Sequence, residues 1–107
     1  MSFAATKDEI LAAWAFADAP NTASVTSSHI FKQGRPILHV SHDEDDGTWQ
    51  FHSGDLVAMS DAMIVCLHEV VRYDPSVAEL ADLPLGWQAT RISLASEWLR
   101  EPHPTES

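Results

Sequence analysis

The residue types able to do chemistry gather in one stretch, residues 36–54, PILHVSHDEDDGTWQFHSG. It holds three of the six histidines, His39, His42 and His52, and an unbroken run of four acids, Asp43, Glu44, Asp45 and Asp46. Two imidazoles and a carboxylate can begin a zinc site, and His42, His52 and Asp43 are the set a hairpin would bring together. A small hydrolase or metal-dependent enzyme would draw on the same three groups. The spacing speaks against it. His39 and His42 are three apart, so on one strand they point to opposite faces. The chain has no HExxH or CxxC pattern. The acid run matches a calcium loop only at its start. An EF-hand needs an oxygen ligand at its fifth position and a glutamate at its twelfth, where this chain has Gly47 and Gly54. No GxSxG elbow frames a serine, and Gly34, Gly47, Gly54 and Gly86 are too scattered for a phosphate loop. These residues predict a protein without catalysis, needing no metal or cofactor.

The elements that position them follow from the same stretch. Ile37-Leu38-His39-Val40 is apolar and β-branched enough to extend, and the adjacent carboxylates then repel one another and require water. Gly47 suits the left-handed backbone of a tight reversal. On the return strand Trp49 and Phe51 fall on one face, with Thr48, Gln50 and His52 on the other. The polar face continues directly from the acids. Asp43, Glu44, Asp45, Asp46, Thr48, Gln50 and His52 therefore form the expected partner-binding surface.

Charge narrows the partners. Sixteen acids against six Lys plus Arg give a formal charge of −10. Such a surface repels phosphate backbones and anionic membranes, so neither nucleic acid nor membrane is an expected partner. A basic protein surface is. One cysteine, Cys66, excludes an intrachain disulfide, and it sits in the apolar run Ala62–Leu67, where a thiol behaves as a small hydrophobe. The first residues carry no signal-peptide pattern, which predicts a cytoplasmic protein. Oligomeric state is not legible.

In chain order, Thr6-Lys7-Asp8-Glu9 matches a capping box, and Ile10, Leu11, Trp14 and Ala17 follow at helical spacing. Residues 23–31 predict a strand ending in Ile30-Phe31, and strands follow at 37–42 and 48–53. Ala62–Leu67 is apolar at successive positions, which predicts a strand buried on both faces. A short helical turn is expected at 68–73. Asp74-Pro75 opens a second helix, with Val77, Leu80 and Ala81 facing inward. Residues 87–92 and 96–100 predict the last strands. The expected fold is one α+β domain over residues 1–101, with a flexible tail at 102–107. Its antiparallel, twisted sheet has about five strands, with the 7–18 and 75–82 helices packed on one face. The expected core is Leu11, Trp14, Ile30, Leu38, Val40, Trp49, Phe51, Ile64, Val65, Leu67, Leu80 and Trp87.

Several of these segments together resemble a known family. They are Val25–Phe31, Ile37–Asp43 leading into Asp46-Gly47-Thr48-Trp49-Gln50-Phe51, Ala62–Leu67, Asp74–Leu80 and Leu85-Gly86-Trp87. The pattern resembles the DUF2185 domain, a bacterial domain of unknown function grouped with predicted immunity proteins of polymorphic toxin systems. The likeness spans residues 23–92 and rests on an acidic-Gly-x-Trp turn, with a longer acid run here than the usual Asp-Ser-Gly version. It implies an α+β fold and an immunity-like protein that neutralises a toxin by binding. It assigns no catalytic residues.

Thermal unfolding with and without chelator should give the same Tm. A large loss of Tm in chelator would overturn the metal-free reading and point first to His42, His52 and Asp43.

Overall fold

In the computed structural model, which describes residues 11–54 and 59–103, the acid-tipped hairpin forms where the sequence places it. His39–His42 (β2) and Trp49–His52 (β3) pair antiparallel, Val40 opposite Phe51 and His42 opposite Trp49. Gly47 takes φ +74°, and its N–H donates to the Asp43 carbonyl at 2.9 Å. Asp46 Oδ1 accepts from the Thr48 N–H at 3.0 Å. That bond, and one from the Thr48 side chain, hold the Asp46 carboxyl below its ordinary value.

The hairpin is the middle of a larger sheet. Ala23–Ser27 (β1), Ala62–Cys66 (β4), Trp87–Thr90 (β5) and Leu99–Pro102 (β6) complete it. The six strands lie in the order β4-β1-β3-β2-β5-β6. β1 runs parallel to β3, and the other neighbours are antiparallel. This corrects the expected five-stranded antiparallel sheet. β3 inserts between β1 and β2, and that insertion creates the parallel pair. β6 also takes in Glu101 and Pro102, which pair with Gln88 and Trp87, so the sheet reaches into the expected tail.

The helices differ from expectation in place and in kind. Leu11 and Ala12 are helical, but the chain turns at Ala13 and is irregular from Trp14, so the helix does not run to 18. Its capping box at residues 6–9 lies outside the described residues. Two contacts favour the early break: Trp14 Nε1–H donates to the Asp18 carbonyl at 2.7 Å, and Phe16 meets Trp49 edge-on with centroids 5.1 Å apart. The expected strand through Phe31 ends instead at Ser27. Ser28–Gln33 (α1) is helical, closed by Gly34 at φ +70°, whose N–H reaches the His29 and Ile30 carbonyls. Leu67–Tyr73 (α2) turns Leu67, Val70 and Val71 inward. Pro75–Leu80 is a 3-10 helix, capped by Asp74 as the sequence predicts, its carboxylate accepting from the Ser76 N–H at 3.1 Å.

One apolar cluster holds these pieces together. Val40, Trp49, Phe51 and Ala89 supply it from the sheet, and Ile30, Leu67, Val70, Val77, Leu80 and Leu83 from the helices and the turn after them. Of the expected core, Ile30, Val40, Trp49, Phe51, Leu67 and Leu80 are buried. Trp14, Val65 and Trp87 pack against it partly buried, and Leu38 is half-buried. Leu11 and Ile64 are corrections, at 40% and 67% exposed. β4 is an edge strand, and it is not buried on both faces: Ala62 and Ile64, which share one face, are exposed.

Beyond β5, Arg91 fastens the layers. Its Nε–H donates to the Ile37 carbonyl at 3.0 Å, Nη1 to Ser76 Oγ at 3.0 Å and Nη2 to Asp74 Oδ2 at 2.7 Å. The Trp98 ring lies 4.0 Å from the guanidinium carbon and closes the site from outside. Removing one partner of such a pair leaves the other charge buried and unsatisfied. Asp74→Ala should therefore lose about 3–5 kcal/mol of stability, and Asp74→Ala with Arg91→Met should recover part of it. Urea unfolding checks this, and a wild-type midpoint for Asp74→Ala would remove Arg91 from its fastening role.

Candidate functional site

Register decides what the hairpin's polar residues can do. His39 pairs with His52, and His42 with Trp49. Side chains alternate along a strand, so His39, Ser41, Gln50 and His52 share one face, while Val40, His42, Trp49 and Phe51 share the core face. The predicted opposition of His39 and His42 is what the sheet shows. The predicted meeting of His42 with His52 is corrected: they lie on opposite faces. His42 stacks on Trp49 with centroids 3.9 Å apart, and its Nδ1–H donates to the Leu83 carbonyl at 2.8 Å. That ring positions the end of the hairpin over the core. Among the described residues no group of three or more His, Cys, Asp or Glu side chains could hold a metal ion.

His52 instead joins a polar ladder across four strands. Its Nε2–H donates to Gln50 Oε1 at 3.0 Å, and Gln50 Nε2–H donates to Asp43 Oδ2 at 2.7 Å. A matching arm starts from His39: its Nε2–H donates to Gln88 Oε1 at 2.9 Å, and Gln88 Nε2–H donates to Glu101 Oε1 at 3.1 Å. The two arms meet where the His39 and His52 rings lie near parallel, centroids 6.2 Å apart. Each arm therefore runs imidazole, amide, carboxylate. Burial holds the His52 imidazole below its ordinary value, the His39 ring beside it adds to that, and Asp43 opposes both.

At the Asp43 end the ladder opens into the acidic turn. Asp43, Glu44, Asp45 and Asp46 line a cleft of about 420 Å³ together with Ser41, His42, Gly86, Trp87 and His103. The cleft sits where β2 ends and β5 begins, tied by the Gly86 N–H to the His42 carbonyl and the His103 N–H to the Gly86 carbonyl, both 2.7 Å. Gly86 has φ +80°, and a Cβ there would stand 3.3 Å from Glu44 Oε2. A side chain at 86 would push Glu44 away from the cleft wall.

The structure thus brings Asp43, Gln50 and His52 into one hydrogen-bonded line and sets Glu44, Asp45 and Asp46 around the neighbouring cleft. Thr48 contributes through Asp46, at the turn. The arm through His39, Gln88 and Glu101, and the Trp87 and His103 walls, have no sequence signal. They depend on β5 pairing with β2 and β6 with β5, which join residues far apart in the chain.

A six-stranded mixed α+β sheet with an acid-rimmed cleft at the tip of its central hairpin defines the protein's class. The chain matches no family model, no curated protein and no solved structure. No described helix is long and apolar enough to cross a membrane.

The depressed His52 value makes a stability prediction. The unfolded chain binds this proton first, so the contribution of neutral His52 is whole above its ordinary value of 6.5 and falls away as pH drops through the folded-state value. Urea unfolding of the wild type should lose more stability between pH ~7.5 and ~5.5 than that of His52→Gln. Equal losses would show that the imidazole titrates in the fold as it does in the unfolded chain.

Proposed function

We propose that this chain is a non-catalytic binding protein that docks a basic protein surface on its acidic hairpin tip. The observation that carries the reading is the cleft itself, with four adjacent carboxylate residues around it. Carboxylates attract Lys and Arg from a distance. Gln50 and His52 extend the surface with hydrogen-bonding groups, and the ladder to Asp43 holds them in place before any partner arrives. Preformed polar groups lower the ordering cost of binding.

The partner's identity is argued from the resemblance of residues 23–92 to the DUF2185 domain. On that footing the protein is immunity-like, and its partner is a toxin whose basic active surface the tip covers. Neutralisation by occlusion needs no catalytic group. The separation of His42 from His52 across the sheet supports binding over a hydrolytic or metal-dependent mechanism built on them.

The test uses the product of the gene adjacent to this one, with toxicity and association read separately. Co-expression of the wild-type chain should relieve toxicity. Asp43→Asn, Glu44→Gln, Asp45→Asn and Asp46→Asn combined should slow association several-fold at low salt, the difference fading near ~0.5 M as screening shortens. The variant should keep wild-type stability, since exposed turn charges add little. Unchanged association would remove the tip as the docking site; no association with wild type would remove the immunity-like reading.

A further inference from the structure

The sheet ends in two unlike edges. β6 is blunted against further pairing: Pro102 has no N–H, and Arg100 and Glu101 bring charge, with Arg100 held by Asp82 at 2.6 Å. β4, reading Ala-Met-Ile-Val-Cys, carries neither charge nor proline. Among the described residues no strand pairs with its outer side.

The direction of its backbone groups can be fixed. The Leu67 N–H donates to the Thr22 carbonyl at 2.8 Å, in the same register that sets Val65 opposite Ser24 and Met63 opposite Thr26. Hydrogen-bonding positions alternate along an antiparallel pair. Met63 and Val65 therefore turn their N–H and C=O groups toward β1, as Leu67 turns its N–H, and Ala62, Ile64 and Cys66 turn theirs outward. These three outward residues are symmetric about Ile64, whose side chain is 67% exposed.

We propose that β4 pairs with β4 of a second copy, antiparallel across a two-fold axis at Ile64. Ile64 then faces Ile64 of the second copy, and Ala62 faces Cys66 in both directions. The Ile64 pair can exchange both backbone bonds, and in each flanking pair the Cys66 N–H can reach the Ala62 carbonyl, the Cys66 carbonyl being engaged as the N-cap of α2 and the Ala62 N–H by the Met59–Asp61 3-10 turn. A shift of two residues leaves outward groups unmatched, and a shift of one sets outward groups against groups already bonded to β1. The strand is thus complementary to itself in one register. Its lack of charge matters in a chain of net charge −10, because no like charges meet along the seam. A foreign extended peptide would meet the same backbone groups, but only self-pairing uses the symmetry of the outward set. The arrangement also closes: after pairing, the edges left are the two blunted β6 strands, so growth stops at the dimer.

The full chain is to be examined by sedimentation equilibrium from micromolar to submillimolar concentration. A concentration-dependent monomer–dimer equilibrium is expected, lost in Ile64→Lys, where two like charges would face each other. Circular dichroism should show that this exposed substitution leaves the fold intact. Geometry is read with Ile64→Cys in a Cys66→Ser background. Facing Cα atoms in a hydrogen-bonded pair lie about 5.5 Å apart, within disulfide reach, so mild oxidation should give a covalent dimer. Ile92→Cys in the same background, exposed but away from β4, should not. A monomer at every concentration, a dimer that survives Ile64→Lys, or equal cross-linking at position 92 would each overturn the pairing.

Discussion

Arg91 leaves the end of β5 and turns inward, its side chain only 2% exposed, and much of the domain closes around the hydrogen bonds it demands. A guanidinium out of water must have its donors satisfied and its charge balanced. Asp74 supplies the charge, and it is also the residue that caps the 3-10 helix through Ser76. Ile37, just ahead of β2, supplies a carbonyl, and Trp98, in the return to β6, supplies the lid. One side chain thereby joins the start of β2, the end of β5, the 3-10 helix and the approach to β6. The hydrophobic cluster supplies the bulk of the stabilisation, but apolar contacts are non-directional. The hydrogen bonds of Arg91 are directional and tie these segments to one arrangement.

That arrangement gives the sheet two faces with different work. On the core face Trp49 is the hub, meeting Phe16 edge-on, lying near parallel to Phe51 and stacked on by His42. Two polar residues of β1 serve the same face: Ser24 and Thr26 are buried and spend their hydroxyls on the Val65 and Phe51 carbonyls. The opposite face keeps its polar groups and orders them into the two-armed ladder. Because both arms end in carboxylates, the stacked imidazoles lie between negative groups, and burial and mutual proximity together favour their neutral form at His52. The proposed docking surface is therefore a rigid continuation of the sheet, with the acidic turn as its projecting end.

The hairpin was legible in the sequence because everything that makes it is local. Alternation places Trp49 and Phe51 inward, four acids demand solvent, and Gly47 accepts the positive φ the turn requires. The Asp74-Pro75 helix start is local in the same sense, a side chain bonding to a backbone two residues on. The acidic tip and the polar line of Gln50 and His52 could be read for that reason. What only the tertiary structure decided is which strands become neighbours. An apolar run such as Ala62–Cys66 reads alike at a sheet's centre and at its edge, and the edge assignment follows from β3 taking the place beside β1. Trp14 to Asp18 has helical spacing, yet the packing of Phe16 on Trp49 outweighs a propensity worth only tenths of a kcal/mol per residue. The partner of His52 likewise turns on a register: pairing with His39 rather than His42 sets a ladder where spacing alone suggested a metal site. Local chemistry determined the elements, and long-range pairing, which no short stretch of sequence encodes, decided which of their side chains meet.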